Sequence, residues 1–205
     1  MRTLIAIPAM DTVPTHFAHS LGCLQKIGEC ELAFKVGSLI YHSRNDLGAE
    51  ALRRNCDYVF WLDSDMVFPP DTLERMMAQM QDVDILTGVY CRRVHPYNPT
   101  LFDKLDIEPG KHCKWKDTKE IPNERFKVEG CGFGCVLMKT EVLLSVQSKF
   151  GTLFSPIGEV GEDLSFCWRA KECGYEIWAD PSIKLGHCGH VIVTEEYWKA
   201  VKENA

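Results

Sequence analysis

Residues 57–66 read DYVFWLDSDM, an apolar, β-prone run that ends in two carboxylates, Asp63 and Asp65. Continuous apolar runs of this length are typical of strands buried on both faces of a parallel sheet. Such sheets bind their ligands at the carboxyl ends of the strands. Positions two apart share a face of a strand, so both carboxylates can converge on one ligand, such as a divalent cation that bridges substrate phosphates. The alternative is a pair of solvated turn aspartates ahead of Pro69 and Pro70.

The chain around this run alternates predicted strands and helices. We expect strands at 3–9, 31–37, 58–62 and 84–90, and helices at 14–27, at 43–55 and from residue 69. Ser43 is the candidate cap of the second helix, and Asp71 with Glu74 resembles a capping box. Alternation of this kind predicts an α/β fold: a single-domain open, mostly parallel twisted sheet flanked by helices, of the Rossmann-like kind, over residues 1–205.

Between residues 92 and 125 the alternation breaks. Four prolines and Gly110 lie here among mixed polar residues. We interpret the segment as a long irregular loop with room for a short hairpin, and loops of this length are often lids or binding loops. A disordered surface insertion is the alternative. Regular structure is predicted to resume over 126–139, with helices at 140–147, 162–172 and 195–204 and short strands at 175–178 and 182–185.

Composition narrows the function classes. The net charge of −6 gives no basic footprint for nucleic acid. No apolar run approaches the roughly 20 residues that span a bilayer, so no transmembrane segment is predicted. The apolar N-terminal stretch is too short for a secretory signal, and we expect a cytoplasmic protein. The ten cysteines form no Cys-x-x-Cys pair, which argues against structural zinc and favours small buried hydrophobes.

Three later motifs add candidate chemistry. Residues 130–134 read GCGFG, which permits close backbone approach to a ligand and equally a tight turn or bulge. Glu162 and Asp163 lie at a predicted helix start, where carboxylates complement the helix dipole and where one of them can act as a general base. His187 and His190 lie in the glycine-flanked turn GHCGH, where an imidazole can complete a site begun by the aspartate pair.

The motifs, taken in order, resemble the nucleotide-sugar glycosyltransferases of the GT-A fold, and most closely the family-2-like bacterial and phage type. Four phrases carry the resemblance: LDSDM at 62–66, FPPD at 68–71, VYCRR at 89–93 and WADPSIKLGH at 178–187. Their order and approximate spacing match across nearly the whole chain.

The resemblance implies a donor and metal site. Asp63, Ser64 and Asp65 match the Asp-x-Asp motif of the family. Asp65 is expected to bind a divalent metal directly. Asp63 is expected to contact the nucleotide sugar at the ribose or a metal-bound water, and it is also a candidate metal ligand. His187 matches the late histidine that supplies a further ligand, and His190 is the second choice.

The resemblance also implies a base and a nucleotide contact. Asp163 matches the acidic residue that acts as base in inverting members, and Glu162 beside it is the second catalytic candidate. Ser43, Arg44 and Asn45 resemble a segment near the donor nucleotide, so Arg44 and Asn45 are expected to bind the donor.

These expectations add up to a metal-dependent glycosyltransferase of the hexosyltransferase type, with inversion favoured by the place of Asp163 and retention left open. It would use Mn²⁺ or Mg²⁺ and move a sugar from a UDP- or GDP-sugar to a hydroxyl of a glycan, lipid, protein or small molecule. The 92–125 loop, the C-terminal helix or a second subunit of a homo-oligomer would hold that acceptor. The alternatives are a nucleotidyltransferase, whose glycine-rich basic phosphate loop is missing from residues 8–12, a non-catalytic nucleotide-sugar-binding module, and a zinc-binding interaction protein.

Overall fold

The computed structural model describes residues 1–189 and 192–203, and it contains a large sheet with helices on both faces. The strands are β1 (Arg2–Ala9), β2 (Glu29–Val36), β3 (Tyr58–Leu62), β4 (Met66–Val67), β5 (Ile85–Val89), β6 (Leu101–Glu108), β7 (His112–Asp117), β8 (Phe126–Val128), β9 (Gly130–Cys131), β10 (Cys135–Lys139), β11 (Ile177–Lys184) and β12 (Gly186–His187). The helices are α1 (Thr15–Cys23), α2 (Ile40–Arg53), α3 (Thr72–Met77), α4 (Thr140–Phe150), α5 (Glu162–Glu172) and α6 (Glu195–Glu203).

The main sheet has seven strands in the order β2-β1-β3-β10-β5-β11-β8. Parallel pairing joins β1 to β2, β1 to β3, and β5 to β11. The strand β10 is antiparallel to both β3 and β5, and β8 is antiparallel to β11. Five strands therefore share one direction and two oppose it, which confirms the predicted α/β class with a mostly parallel sheet.

The strand β3, which precedes Asp63, lies in the interior of this sheet between β1 and β10. Its residues Val59, Phe60, Trp61 and Leu62 are all fully buried. Trp61 packs into the core layer that contains residues of α2, α4 and α5, whereas Phe60 and Leu62 pack into the layer with α1 and α3. Both faces of β3 are covered, which is why its sequence is continuously apolar.

Two predicted side-chain caps of helices are wrong. The helix α2 begins at Ile40, so Ser43 lies inside it, where its buried hydroxyl meets Ser38 Oγ at 2.7 Å. Asp71 occupies the cap position of α3 but makes no side-chain capping bond. The Pro69 carbonyl instead accepts from Thr72, at 3.2 Å from its backbone N–H and 2.7 Å from its hydroxyl. A backbone carbonyl thus takes the place of the expected carboxylate.

The first helix is shorter than predicted. The chain turns extended at Leu24, directly after α1 ends at Cys23. The backbone N–H of Gln25 then donates to the Pro70 carbonyl at 2.8 Å. This contact between segments that are distant in sequence ends the helix, so the end of α1 could not be predicted from the local sequence.

The 92–125 segment is more regular than expected. The strands β6 and β7 form a long antiparallel hairpin, and β6 also pairs with β9 in a three-stranded sheet. Leu105 and Ile107 of β6 are buried. Further along, the two short strands predicted near residues 175–185 are one strand, β11, with a register shift between Asp180 and Lys184. Pro181 lies within that irregularity, where a strand tolerates proline.

Six of the ten cysteines are buried: Cys56, Cys91, Cys131, Cys135, Cys167 and Cys188. Burial raises the pKa of Cys91 to about 12, so its thiol stays protonated and packs as a small apolar group. Among the described residues, the helices are too short or too polar for any of them to cross a membrane.

Candidate active site

A cleft of about 950 Å³ opens where β1 and β3 end and where α2 and α5 begin. This is the carboxyl edge of the parallel strands, where α/β sheets bind ligands. The cleft is lined by eight of the residues singled out from the sequence: Ser43, Arg44, Asp63, Ser64, Asp65, Glu162, Asp163 and His187. The fold therefore brings together residues that lie more than a hundred positions apart.

One group of charges in the cleft is built around Arg44; we call Arg44, Asp63 and Glu162 the Arg44 cluster. Arg44 is only 2% exposed. Its Nη2 donates to Asp63 Oδ1 at 2.7 Å, and its Nε donates to Glu162 Oε1 at 3.3 Å. The buried guanidinium thus joins the aspartate motif after β3 to the acidic start of α5.

Arg44 lies among aromatic rings beneath the cleft. Its guanidinium carbon is 5.3 Å from the ring centre of Phe133, 5.9 Å from Trp61 and 5.9 Å from Phe154. Such contacts favour a desolvated cation. Burial alone would lower the pKa of Arg44, but the charges of Asp63, Glu162 and Asp163 outweigh it and raise that pKa. Its buried Nη1 finds no hydrogen-bond partner among the described residues.

A second group consists of Asp65, Arg93 and His187, which we call the Asp65 cluster. Asp65 Oδ2 lies 3.0 Å from Arg93 Nη1 and 3.4 Å from His187 Nε2. The backbone carbonyl of Asp65 accepts from the Cys188 N–H at 2.7 Å. The short pairing of β4 with β12 brings the histidine turn to the aspartate motif, since His187 is opposite Met66.

The orientation of His187 is fixed by its other ring nitrogen. Nδ1 lies 2.8 Å from the Cys91 carbonyl oxygen. A carbonyl can only accept, so Nδ1 carries a proton and Nε2 is the atom that faces Asp65. Metal-binding histidines are held in this way by a second partner. An imidazole nitrogen and a carboxylate oxygen side by side are ligands suited to coordinate a divalent cation.

The pKa values of the two aspartates of the motif are shifted in opposite directions. Burial and the nearby charge of Asp65 raise the pKa of Asp63 against the lowering effect of Arg44. Burial would also raise the pKa of Asp65, but His187 and Arg93 overcome it, so that pKa is lowered. Asp65 is therefore firmly ionised, whereas at Asp63 the ion pair with Arg44 only opposes the rise of the pKa.

Asp163 has the strongly shifted carboxyl of the cleft. Burial, and then the charge of Glu162, raise its pKa to about 6. The Leu164 N–H, which donates to Asp163 Oδ1 at 2.7 Å, and the charge of Arg44 oppose this shift. A carboxylate with a pKa near neutrality is suited to accept a proton.

Not every predicted residue reaches the cleft. Asn45 is absent from its lining, and its Oδ1 accepts from the N–H groups of Leu153 at 3.2 Å and Phe154 at 2.8 Å. Its contact with the nucleotide-sugar donor stays a prediction. Its observed hydrogen bonds join the 153–154 segment to α2. Ser64 lines the cleft. His190 lies outside the described residues.

Among the cleft residues that were given no role from the sequence, Tyr90 and Arg93 both belong to the VYCRR phrase. The Tyr90 hydroxyl accepts from the Gly134 N–H at 2.9 Å, and its ring lies 5.4 Å from that of His187. A Cβ on Gly132 would overlap the Tyr90 hydroxyl, and one on Gly134 would lie 2.6 Å from Tyr90 Cζ. The alternating glycines therefore make room for Tyr90 beneath the cleft.

The fold is that of a GT-A glycosyltransferase. The family model described as glycosyl transferase family 2 matches residues 40–146, from the start of α2 into α4. The chain belongs to this family, and the glycosyltransferase prediction is confirmed at that level. The match ends before Asp163 and His187, so it says nothing of either residue.

Solved structures show the same fold. The crystal structure of A197 from STIV has a TM-score of 0.69 and 20% identity, with 95% of this chain and 94% of that chain covered. The crystal structure of GalNAc-T7 with UDP, GalNAc and Mn²⁺ has a TM-score of 0.58 and 8% identity, with 91% of this chain and 43% of that chain covered. At these identities the likeness is one of fold.

Proposed function

We propose that the protein, as one catalytic domain over residues 1–205, transfers a hexose from a UDP- or GDP-sugar to a hydroxyl acceptor with inversion and with Mn²⁺ or Mg²⁺. The observation that carries the proposal is that a single cleft contains both a firmly ionised Asp65 beside His187 and an Asp163 whose pKa is about 6. Asp65 and His187 are suited to bind a cation, and Asp163 is suited to accept a proton.

Asp65 and His187 would hold the metal. Among the described residues, no three His, Cys, Asp or Glu side chains form a cluster around one point, so the donor phosphates and water would complete the shell. Magnesium-like ions commonly bind in this way, through one or two carboxylates plus substrate phosphates. When bound, the cation neutralises charge that develops on the departing diphosphate.

Asp63 would face the donor rather than the metal. Its Oδ1 is engaged by Arg44 at 2.7 Å, which holds the carboxylate in place and leaves its other oxygen to accept from a ribose hydroxyl or a metal-bound water. Arg44 is buried, so we propose that it acts by positioning Asp63 and Glu162. This replaces direct contact of Arg44 with the nucleotide as its main role.

Asp163 would take the acceptor proton. As the acceptor oxygen forms its bond to the anomeric carbon, the bond from that carbon to the diphosphate oxygen breaks, and the hydroxyl proton passes to the Asp163 carboxylate. The sugar passes through an oxocarbenium-like transition state, as in glycoside hydrolysis. One displacement from the face opposite the leaving group inverts the anomeric centre.

A donor screen tests the proposal. The purified chain is incubated with UDP- and GDP-hexoses, with Mn²⁺ or Mg²⁺ and in parallel with EDTA, and released nucleoside diphosphate is measured. We expect at least one donor to be hydrolysed or transferred with metal and not with chelator. The structure of GalNAc-T7 with UDP and Mn²⁺ makes UDP-sugars with Mn²⁺ the first choice. Equal turnover in EDTA would contradict the metal role.

A further inference from the structure

A second groove, of about 380 Å³, lies between the tip of the β6–β7 hairpin and the turn that precedes α5. We call it the hairpin groove, and it is lined by residues 107–113, Trp115 and residues 157–160. None of these residues lines the large cleft. The groove is therefore a separate feature of the described surface.

Trp115 gives the groove an exposed aromatic wall. In the hairpin register, Trp115 is opposite Leu105 and Cys113 is opposite Ile107. Leu105 and Ile107 are buried, yet Trp115 on the same face is 50% exposed. The edge strand β7 therefore offers the groove a large aromatic surface with a polar N–H, a combination that is enriched at binding interfaces.

The rim of the groove is polar and can pair with hydroxyls. Glu108 pairs with Lys111 and lies 3.6 Å from His112 Nδ1. Glu159, on the facing turn, is exposed. Carboxylates therefore outnumber the lysine, which disfavours an anionic headgroup. A mixed wall of one aromatic face and several hydrogen-bonding groups suits a neutral polar ring better than an acyl chain.

The groove leads toward the proposed base. Val160 lines it, and Asp163 lines the large cleft three residues later. Consecutive Cα atoms lie 3.8 Å apart, so the two Cα atoms are separated by at most about 11 Å. The turn is tied to α5, because Ser165 Oγ accepts from the Ile157 N–H at 3.0 Å and donates to the Val160 carbonyl at 3.2 Å. Groove and base are therefore held in a fixed relation.

We infer that the hairpin groove binds the non-reacting part of a saccharide acceptor, with a sugar ring stacked on Trp115. The inference rests on the proposed function, because it treats the saccharide as the acceptor and places the reacting hydroxyl at Asp163. It commits the acceptor class to glycans of more than one ring, which can reach from the cleft to the indole. A single sugar at Asp163 would leave the groove empty.

The test uses the full chain without donor on an array of immobilised neutral oligosaccharides and the matching monosaccharides. The variants are Trp115→Ala, Trp115→Phe and Lys114→Ala, the last a neighbour on the opposite face of the same strand. Thermal unfolding of each variant checks that it is folded. We expect the wild type and Lys114→Ala to bind the same oligosaccharides. Trp115→Ala should bind at least fivefold more weakly, and Trp115→Phe should lie between them.

Other outcomes overturn the inference. They are a smaller loss in Trp115→Ala, an equal loss in Lys114→Ala, binding of monosaccharides alone, and no oligosaccharide bound by the wild type. Donor hydrolysis by the wild type is measured separately, so the two proposals fail independently. Glycan binding that depends on Trp115 without any donor turnover would leave a saccharide site and remove the transferase mechanism. Donor turnover without glycan binding would leave the transferase mechanism and remove the saccharide site.

Discussion

Asp65 and Asp163 are the same kind of side chain in the same cleft, yet their surroundings differ. Asp65 lies against Arg93 and His187, at 3.0 and 3.4 Å, and its pKa is lowered. Asp163 is half-buried beside the charge of Glu162, and its pKa is raised to about 6. Neighbours, and not residue type, decide which carboxylate remains charged and which exchanges a proton.

The difference suggests a division of labour. A firmly ionised carboxylate holds a cation across the whole physiological pH range, but it is a weak base. A carboxylate with a pKa near 6 takes a proton readily at neutral pH. Pairs of carboxylates whose environments push their pKa values apart are a recurrent way to assign such roles. Arg44 connects the surroundings of the two carboxylates, since it pairs with Asp63, two residues before Asp65, and with Glu162, one residue before Asp163.

The largest expected effect is that of Asp65→Ala. Loss of this carboxylate removes the cation that stabilises the leaving diphosphate, and several kcal/mol of charge stabilisation correspond to about 1,000-fold or more in kcat. Metal-dependent donor turnover measures it. Asp71→Ala is the matched control, because Asp71 makes no capping bond and should keep wild-type turnover. A wild-type kcat in Asp65→Ala would contradict the role of Asp65 as a metal ligand.

Asp163→Asn should lower transfer by about 100- to 10,000-fold, the usual contribution of a general base. Affinity for the nucleotide sugar should stay within about twofold, since the side chain keeps its size and its bond to the Leu164 N–H. Titration calorimetry and steady-state kinetics with the same donor separate the two effects. If transfer continues at the normal rate, another group is the base, and Glu162 is the first to examine.

The pH profile sharpens the comparison. Asp163 works only when ionised, so the rate of transfer at saturating substrate should fall as pH drops through about 6. In Glu162→Gln the midpoint should shift to lower pH, because the Glu162 charge raises the pKa of Asp163. Rates of both proteins from pH 4.5 to 8, compared as relative profiles, measure the shift. A midpoint that stays or moves upward would contradict the assignment.

The smallest expected effect is on stability. The pKa of Asp163 is about 6 when folded against an ordinary 3.8, so the folded protein binds more protons in that range and loses stability as pH rises through it. Asp163→Asn removes this cost and should raise the free energy of unfolding by about 3 kcal/mol at pH 8 and by almost nothing at pH 3. Urea unfolding at both values measures it, and an equal gain at both would point to packing instead.

The sequence was a good guide to which residues line the cleft. An apolar run followed by two carboxylates specifies a buried strand and its functional end, because burial on both faces requires continuous apolar side chains. The late acidic and histidine turns were found through their place in a recognisable order. Distance along the chain did not matter, since successive strand ends meet at one edge of the sheet.

Other features depend on contacts that local patterns do not encode. A buried apolar strand reads the same in either direction, so the antiparallel insertion of β10 between β3 and β5 was not predictable. Arg44 was expected to bind the donor, and the sequence did not show that it is buried among aromatic rings and paired with two carboxylates. The glycines at 132 and 134 accommodate Tyr90, a partner some 40 residues away.

Cation binding by the two aspartate variants tests the central claim most directly. Mn²⁺ is titrated into the wild type, Asp65→Ala and Asp163→Asn in the presence of UDP, and the bound ion is followed by electron paramagnetic resonance. The account predicts that Asp65→Ala loses at least tenfold in Mn²⁺ affinity, whereas Asp163→Asn binds like the wild type. Loss of affinity in Asp163→Asn with normal binding in Asp65→Ala, or an equal loss in both, would contradict it.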